Sequence, residues 1–240
     1  VGDPANMLGV KRMITKNPDG TKTLELSMPK YIENLMDEFN EHMPTRDHST
    51  PWHQDLLIGT KQRNYQPDAA EQREYKDKGY LSLCGGLLWA ARQAYPEIMF
   101  AVSQLCSVMS APSQIAWNAG LRVLKWLYNH RDKGIQYHSN CALEPILYYD
   151  SSHNLYDDSK GHYGFQINMC DGPVIYESKK HAKIGAESSG SEYMALFYGT
   201  KSVVKLRNLI TQLQSYPKPI EPTRQLINII IIYHSNSNSY

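Results

Sequence analysis

Three stretches between residues 80 and 128 repeat apolar residues at helical spacing, and this pattern constrains the fold more than any other feature of the chain. In each stretch the apolar residues recur every three or four positions, so they line one face of a helix. Pro96 and Pro112 separate the stretches, at positions where a helix start tolerates a residue without a backbone N–H. The sequence therefore predicts three consecutive helices in the middle of the chain.

The pattern before these helices predicts a β-hairpin followed by a single helix. Met7–Met13 and Thr21–Leu26 flank the turn Lys16–Gly20, in which proline sets φ and glycine takes the left-handed position. Apolar residues within 31–39 then fall on one helical stripe. From 41 to 78 neither period is sustained, and this segment is predicted to be a long loop or linker.

The pattern changes to strands near residue 143. Pro145–Tyr149, Tyr163–Met169 and Pro173–Glu177 have the composition of strands, and a Cys-Asp-Gly turn joins the second to the third. A long helix is predicted from Ser189 to Gln214, and a final strand from Leu226 to Tyr233. The predicted order is thus β-β-β-α-β.

Charge and targeting signals exclude some classes of protein. Lys and Arg total 25 against 24 acidic residues, so no overall positive field draws the whole molecule to nucleic acid, and any such surface has to be local. The start Val1–Pro4 lacks a signal-peptide pattern, and no apolar run approaches the roughly 20 residues that cross a bilayer. We expect a soluble, intracellular chain without membrane contact, and the missing initial Met predicts a piece of a longer reading frame.

The cysteines are spread singly, which favours a reducing compartment and buried free thiols. They are Cys84, Cys106, Cys141 and Cys170. His130, His138 and Cys141 fit no common zinc spacing, and we expect them to be turn residues between a helix and a strand. Three further histidines, His153, His162 and His181, are predicted to lie at the surface.

Two acids and one histidine are candidates for a metal-dependent nuclease site. Asp150 ends the first predicted strand, and Glu192 lies in the first turn of the long helix. If the last strand lies beside the first, its end delivers His234, although Mg²⁺ binds imidazole poorly. The alternative is structural, because an acid after a strand is commonly a turn residue and an acid at a helix start commonly faces the dipole.

Several stretches, taken together and in order, resemble the Pol polyprotein of copia-type long-terminal-repeat retrotransposons. Tyr95–Val102 is similar to the family's Arg-Pro-Asp-Ile-x-x-Ala-Val, and Trp117–Tyr128 to its Trp-x-x-x-x-Arg-Val-Leu-x-Tyr-Leu. The other stretches are Gly2–Val10, Ser27–Leu35, Tyr80–Trp89, Asp157–Phe165, Ser178–Lys180 and Ser191–Leu196. The resemblance covers nearly the whole chain.

The resemblance implies an α+β protein in four parts. Residues 1–40 would be the end of the reverse transcriptase palm with a thumb-like piece, and 41–78 a linker. Residues 79–140 would be a helical connection segment, and 141–240 a truncated ribonuclease-H-like domain of the order β-β-β-α-β. The polymerase motif Tyr-x-Asp-Asp is absent, and the sequence stops before the last helices, strand and acid of ribonuclease H.

For the site, the resemblance makes Asp150 and Glu192 the first two metal-binding acids of ribonuclease H and puts His234 in place of the third. We therefore expect at most vestigial Mg²⁺ binding and a truncated, catalytically inactive Pol fragment. The alternative is a fragment that binds RNA/DNA hybrid without cutting it and interferes with an intact element. Implied partners are hybrid or template-primer and other Pol or Gag products, in cytoplasmic virus-like particles or the nucleus.

Two groups of basic residues are candidates for a nucleic-acid surface. Arg122, Lys125, Trp126, Arg131 and Lys133 would follow the template-primer path, or else form a solvated helix face with the tryptophan packed inward. A second group makes the ribonuclease H part locally basic, which suits a hybrid backbone and equally suits solubility. Its members are Lys179, Lys180, Lys183, Lys201, Lys205 and Arg207.

Overall fold

The chain forms two compact units in a computed structural model that describes residues 6–53, 56, 58, 67–141, 143–156, 158–182, 187–214 and 230–233. The first unit is Val1–Gln136 with Tyr156–Asp158, and the second is Tyr137–Leu155 with Ser159–Tyr240. Of the helices among these described residues, none has the length and apolarity needed to cross a membrane.

The first unit combines a small antiparallel sheet with a group of helices. Its strands are β1 (Asn6–Met7), β2 (Val10–Lys16) and β3 (Lys22–Ser27). A fourth strand, β4 (Ile135–His138), follows β3 in the sheet order. The division between the two units falls within β4. Its helices are α1 (Pro29–Glu38), α2 (Ala69–Asp77), α3 (Tyr80–Gln93), α4 (Met99–Ser107) and α5 (Gln114–Asn129), with 3₁₀ turns at Asn40–His42 and Pro96–Ile98.

The predicted hairpin and the four predicted helices of this unit are confirmed. Lys16 pairs with Lys22 across the turn, Gly20 has a φ of 83°, and the Asp19 carboxylate accepts a hydrogen bond of 2.9 Å from the Thr21 N–H. The hydroxyl of Tyr95 accepts from the Met28 N–H at 3.0 Å and donates to the Arg131 carbonyl. One buried core thus joins side chains from α1 with those from α3, α4 and α5.

Two elements of the first unit were not predicted. The helix α2 lies inside the segment predicted as linker, where the Asp68 side chain caps it by accepting from the Glu71 N–H at 2.8 Å. Tyr75 is its only buried residue, so the apolar period that marks the other helices is missing. The other is β4, which spans the division between the units: His138, at its second-unit end, belongs to this strand rather than to a turn. His130 caps the end of α5.

The second unit is a four-stranded sheet with one long helix packed on it. Its elements are β5 (Ile146–Ser152), β6 (His162–Met169), β7 (Gly172–Lys180), α6 (Ser188–Gln214) and β8 (Ile230–Tyr233). The spatial order is β7-β6-β5-β8, in which β5 pairs antiparallel with β6 and parallel with β8. The predicted order β-β-β-α-β is confirmed, while residues 226–229 of the predicted last strand lie outside the described residues.

Local sequence explains how this unit is assembled. Cys170 and Asp171 both have positive φ, 52° and 68°, which is the two-residue turn that matches strand twist in a hairpin. Leu147 of β5 is fully buried beneath Gly199 of α6, where an added Cβ would lie 2.7 Å from the leucine Cδ1. The missing side chain at 199 therefore lets the helix lie close to the central strand, above the buried Phe165.

The prediction of four free thiols is wrong for two cysteines. Cys141 and Cys170 form a disulfide with their Cα atoms 4.8 Å apart, whereas Cys84 is a buried free thiol and Cys106 a partly buried one. The pair closes the connection between β4 and the β6–β7 turn, where the His138 N–H also donates to the Cys170 carbonyl at 3.1 Å. Single spacing along the sequence does not reveal this proximity, because the β6–β7 hairpin creates it.

Candidate functional site

Asp150 lies near the end of β5, as predicted. It pairs with Gly164 of β6, its side chain is exposed, and its Oδ1 accepts a hydrogen bond of 2.8 Å from the Ser151 N–H. Side chains alternate along a strand, and Leu147 faces α6, so Tyr149 shares the helix face while Asp150 lies on the other face.

Glu192 was predicted in the first turn of the long helix, but α6 begins at Ser188 and has no acid in its first turn, so Glu192 lies just beyond that turn, with its side chain partly buried. The adjacent Ser191 Oγ is 3.2 Å from the Nδ1 of His153, which follows directly after β5. The start of the long helix and the end of the first strand of this unit are therefore neighbours. Strand alternation points the Asp150 side chain away from the face on which α6 packs, which disfavours a shared metal ion. Convergence of the Asp150 and Glu192 carboxylates on one metal ion stays a prediction.

The third predicted position, His234, lies outside the described residues. The strand before it is where the prediction put it: β8 runs parallel to β5, and its last residue, Tyr233, pairs with Tyr149. Within the described part of the chain, no group of three or more His, Cys, Asp or Glu residues is arranged to hold a metal ion.

Two histidines at the same end of the sheet are buried, and their predicted surface position is wrong. His162 is 6% exposed, and its Nε2 lies 2.7 Å from the Ser178 Oγ. Burial, and secondarily the nearby His181, lowers the pKa of His162 to about 4. Burial and then the charge of His153 lower the pKa of His181, whose Nε2 is buried without a hydrogen-bond partner among the described residues.

The first candidate nucleic-acid surface is occupied by the chain itself. Four side chains of α5, spaced to share one helix face, bind oxygen atoms of residues 47–52, which we call the strap. The Arg122 Nη2 donates to the Thr50 carbonyl and hydroxyl, both at 3.1 Å. The Trp126 Nε1 donates to the Ser49 carbonyl at 3.2 Å. The Asn129 Nδ2 donates to the Asp47 Oδ1 at 3.0 Å, and the Lys125 Nζ lies 3.7 Å from the same oxygen.

Arg131 is also engaged within the first unit. Its Nε donates to Glu33 Oε1 at 3.3 Å, its Nη1 donates to the Tyr128 carbonyl at 2.8 Å, and its guanidinium lies 4.3 Å from the Tyr128 ring centroid. Lys133 is exposed. The contacts of this face agree with the structural alternative, since Trp126 packs partly against the first core. A role for the face in template-primer binding stays a prediction.

We expect Arg122→Ala to loosen the strap without unfolding the first unit. The change removes two hydrogen bonds to Thr50 that each contribute about 1 kcal/mol, so local opening becomes roughly thirty times more frequent. Trypsin should therefore cut faster after Arg46, which directly precedes the strap and is exposed. Lys133→Ala is the matched control, and equal cleavage rates in both variants would show that the strap is held by other contacts.

Comparison with known proteins finds similarity to transposon proteins. No protein-family model matches it, and no solved structure is similar to it. It is 32% identical over 117 residues to a transposon Ty5-1 protein of Saccharomyces cerevisiae, which covers 48% of the chain and 38% of that protein. It is 24% identical over 222 residues to the retrovirus-related Pol polyprotein from transposon TNT 1-94 of Nicotiana tabacum. The chain is a homologue of copia-type Pol polyproteins.

The match to the tobacco Pol polyprotein spans 91% of the chain but only 16% of that polyprotein. A third relative, secreted RxLR effector protein 161 of Plasmopara viticola, is 26% identical over 132 residues, which are 55% of the chain and 93% of that protein. The chain thus corresponds to a minor part of its Pol relatives, whereas the matched stretch makes up nearly all of the third relative. The ordered motifs indicated a resemblance to Pol polyproteins, and these low-identity matches confirm it.

Proposed function

We propose that the chain is a piece of retrotransposon Pol that joins the end of reverse transcriptase to the start of ribonuclease H and does not cleave RNA by itself. The observation that carries this proposal is the topology of the second unit. Three antiparallel strands lead into a helix that packs on them, and the chain returns to a strand parallel to the first. The proposal is supported by the contact between His153, just after β5, and Ser191, near the start of α6, since Asp150 lies two residues before the end of β5 and Glu192 follows Ser191.

The proposed lack of cleavage follows from the chemistry of two-metal catalysis. Two Mg²⁺ ions that clamp the attacking and leaving oxygens need several carboxylates to hold them and to offset their charge. Asp150 and Glu192 supply two, and the next expected position holds His234, whose imidazole suits Mg²⁺ poorly. DNA synthesis is not expected either, because the 240 residues contain no Tyr-x-Asp-Asp motif.

A labelled RNA/DNA hybrid incubated with Mg²⁺ and the purified chain tests the proposal. We expect no cleavage above background from the wild type, from Asp150→Asn or from Glu192→Gln. Asp171→Asn, in the exposed β6–β7 turn, is the matched control for loss of a carboxylate from the same unit. Robust cleavage that Asp150→Asn abolishes and Asp171→Asn preserves would overturn the proposed inactivity and would establish Asp150 as catalytic.

A second candidate function is binding of RNA/DNA hybrid without cleavage. It is favoured by the position of Lys201, Lys205 and Arg207, which are all exposed on α6 in a helix whose one acid is Glu192. Gel-shift titration at two salt concentrations tests it, with affinity expected to fall steeply as salt rises. Absence of binding at the lower salt concentration would exclude it.

A further inference from the structure

The outer face of α6 carries two large aromatic side chains that are mostly exposed. Tyr193 is 75% exposed and Phe197 is 59% exposed, and they lie one turn apart. An exposed aromatic residue is common, but two adjacent ones on a single helix face form a patch that needs an explanation.

The same stripe continues as two lysines. Lys201 and Lys205 follow Phe197 at the same spacing of four residues, and both are exposed. Each step of four residues advances about 6 Å along the helix axis and turns only about 40° around it. The four side chains therefore form a continuous aromatic–lysine ridge, which consists of Tyr193, Phe197, Lys201 and Lys205.

The ridge faces away from the sheet. Ala195, Gly199 and Val203 are buried on the side of α6 that faces the second core, opposite the ridge. Three partly buried residues of α6 also pack against that core: Leu196, Tyr198 and Leu206. Phe197 contacts the edge of the core through Tyr198, whose ring lies 5.5 Å from its own and stacks on Tyr163. The other ridge residues do not belong to the second core, so substitutions of Tyr193, Lys201 and Lys205 change the surface of the molecule and leave the core in place.

We propose that the aromatic–lysine ridge binds single-stranded nucleic acid, with bases stacked on Tyr193 and Phe197 and phosphates bound by Lys201 and Lys205. This proposal rests on the nucleic-acid binding named above as the second candidate function and defines its surface and its substrate class. Stacking on exposed aromatic residues requires a free base face, which a single strand offers and the interior of a duplex does not. The two lysines complement a polyanion, and the helix has three basic residues against one acid.

The test is a fluorescence-anisotropy titration of the full chain with a labelled oligo(dT) of about twelve nucleotides, compared with an RNA/DNA hybrid of equal length. We expect tighter binding of the single strand, and about ten-fold weaker binding for each of Tyr193→Ala and Phe197→Ala. Lys201→Gln and Lys205→Gln should each lower the slope of log affinity against log salt by about 0.7.

Leu143→Ala is the matched control. Leu143 is an exposed apolar residue of the second unit, 50%, but it lies outside α6, so its loss should leave affinity unchanged. If the chain binds the hybrid and the ridge variants do not weaken that binding, the proposed role of the ridge is wrong, but the second candidate function is retained. No binding of either nucleic acid at low salt would overturn both, and sedimentation of a dimer lost in Phe197→Ala would assign the ridge to self-association.

Discussion

Replacing Gly134 with alanine is expected to destabilise the first unit by about 3 kcal/mol or more. A Cβ at this position would lie 1.9 Å from the Leu26 carbonyl oxygen and 2.6 Å from its carbon. Overpacking against a side chain normally costs about 1–3 kcal/mol, but here the obstacle is the backbone of β3. Relief of the clash therefore requires β3 and the start of β4 to move apart, with loss of sheet hydrogen bonds.

Tryptophan fluorescence during urea denaturation measures this effect in one unit alone. All four tryptophans lie in the first unit, at positions 52, 89, 117 and 126. Gly20→Ala is the control: its φ is positive, 83°, but a Cβ there meets no atom within 4 Å, so only about 1 kcal/mol of backbone strain is expected. Equal losses for the two variants would contradict the proposed clash.

Hydrophobic periodicity predicted most of this fold because most elements bury one regular face. The helices α1, α3, α4 and α5 each present apolar residues at helical spacing to a single core, and the hairpin turn is marked by Pro18 and Gly20. The helix α2 escaped prediction because its stability comes from the Asp68 cap and a single buried Tyr75. Periodicity detects burial, so an element stabilised by its ends leaves little trace in the pattern.

The candidate site could be predicted only in part. The sequence indicated that Asp150 ends a strand and Glu192 lies in the first turn of a helix; in the structure β5 continues for two residues beyond Asp150, and Glu192 lies just beyond the first turn of α6. It did not indicate that Arg122 and Trp126 bind the strap, since the strap lies more than 70 residues earlier in the chain and has no regular pattern of its own. Contacts of this kind depend on tertiary packing, which local sequence does not encode.

The burial of His162 could not be predicted for a similar reason. It occupies the first position of β6, where neighbouring strand ends rather than an alternating pattern determine exposure. Close packing at this point is visible at Gly161, where an added Cβ would lie 2.1 Å from the Ser152 carbonyl oxygen and 2.9 Å from a carbon of the His181 ring. The strand ends therefore enclose both imidazoles, although histidines next to a turn are usually exposed.

Acidification is expected to destabilise the second unit by about 3 kcal/mol through His162. Its folded-state pKa is about 4, below the value of about 6.5 in an unfolded chain, so the unfolded state takes up the proton first as pH falls. The contribution of neutral His162 to the free energy of unfolding is fully present above about pH 7 and is lost as the pH falls from about 6.5 to about 4. Below about pH 4 this group changes the stability no further. His181, whose pKa is also lowered, acts in the same direction.

Urea denaturation at a series of pH values between 7 and 4, followed by circular dichroism and tryptophan fluorescence together, measures the effect on the second unit. Because the second unit has no tryptophan, a transition seen by circular dichroism alone belongs to it. His162→Gln should flatten the pH dependence even if it lowers stability at neutral pH, since glutamine keeps a polar group near Ser178 without a titrating proton. His138→Gln removes an exposed histidine of the same unit and should leave the slope steep. An equally steep slope in His162→Gln would mean that other groups carry the acid sensitivity of the second unit.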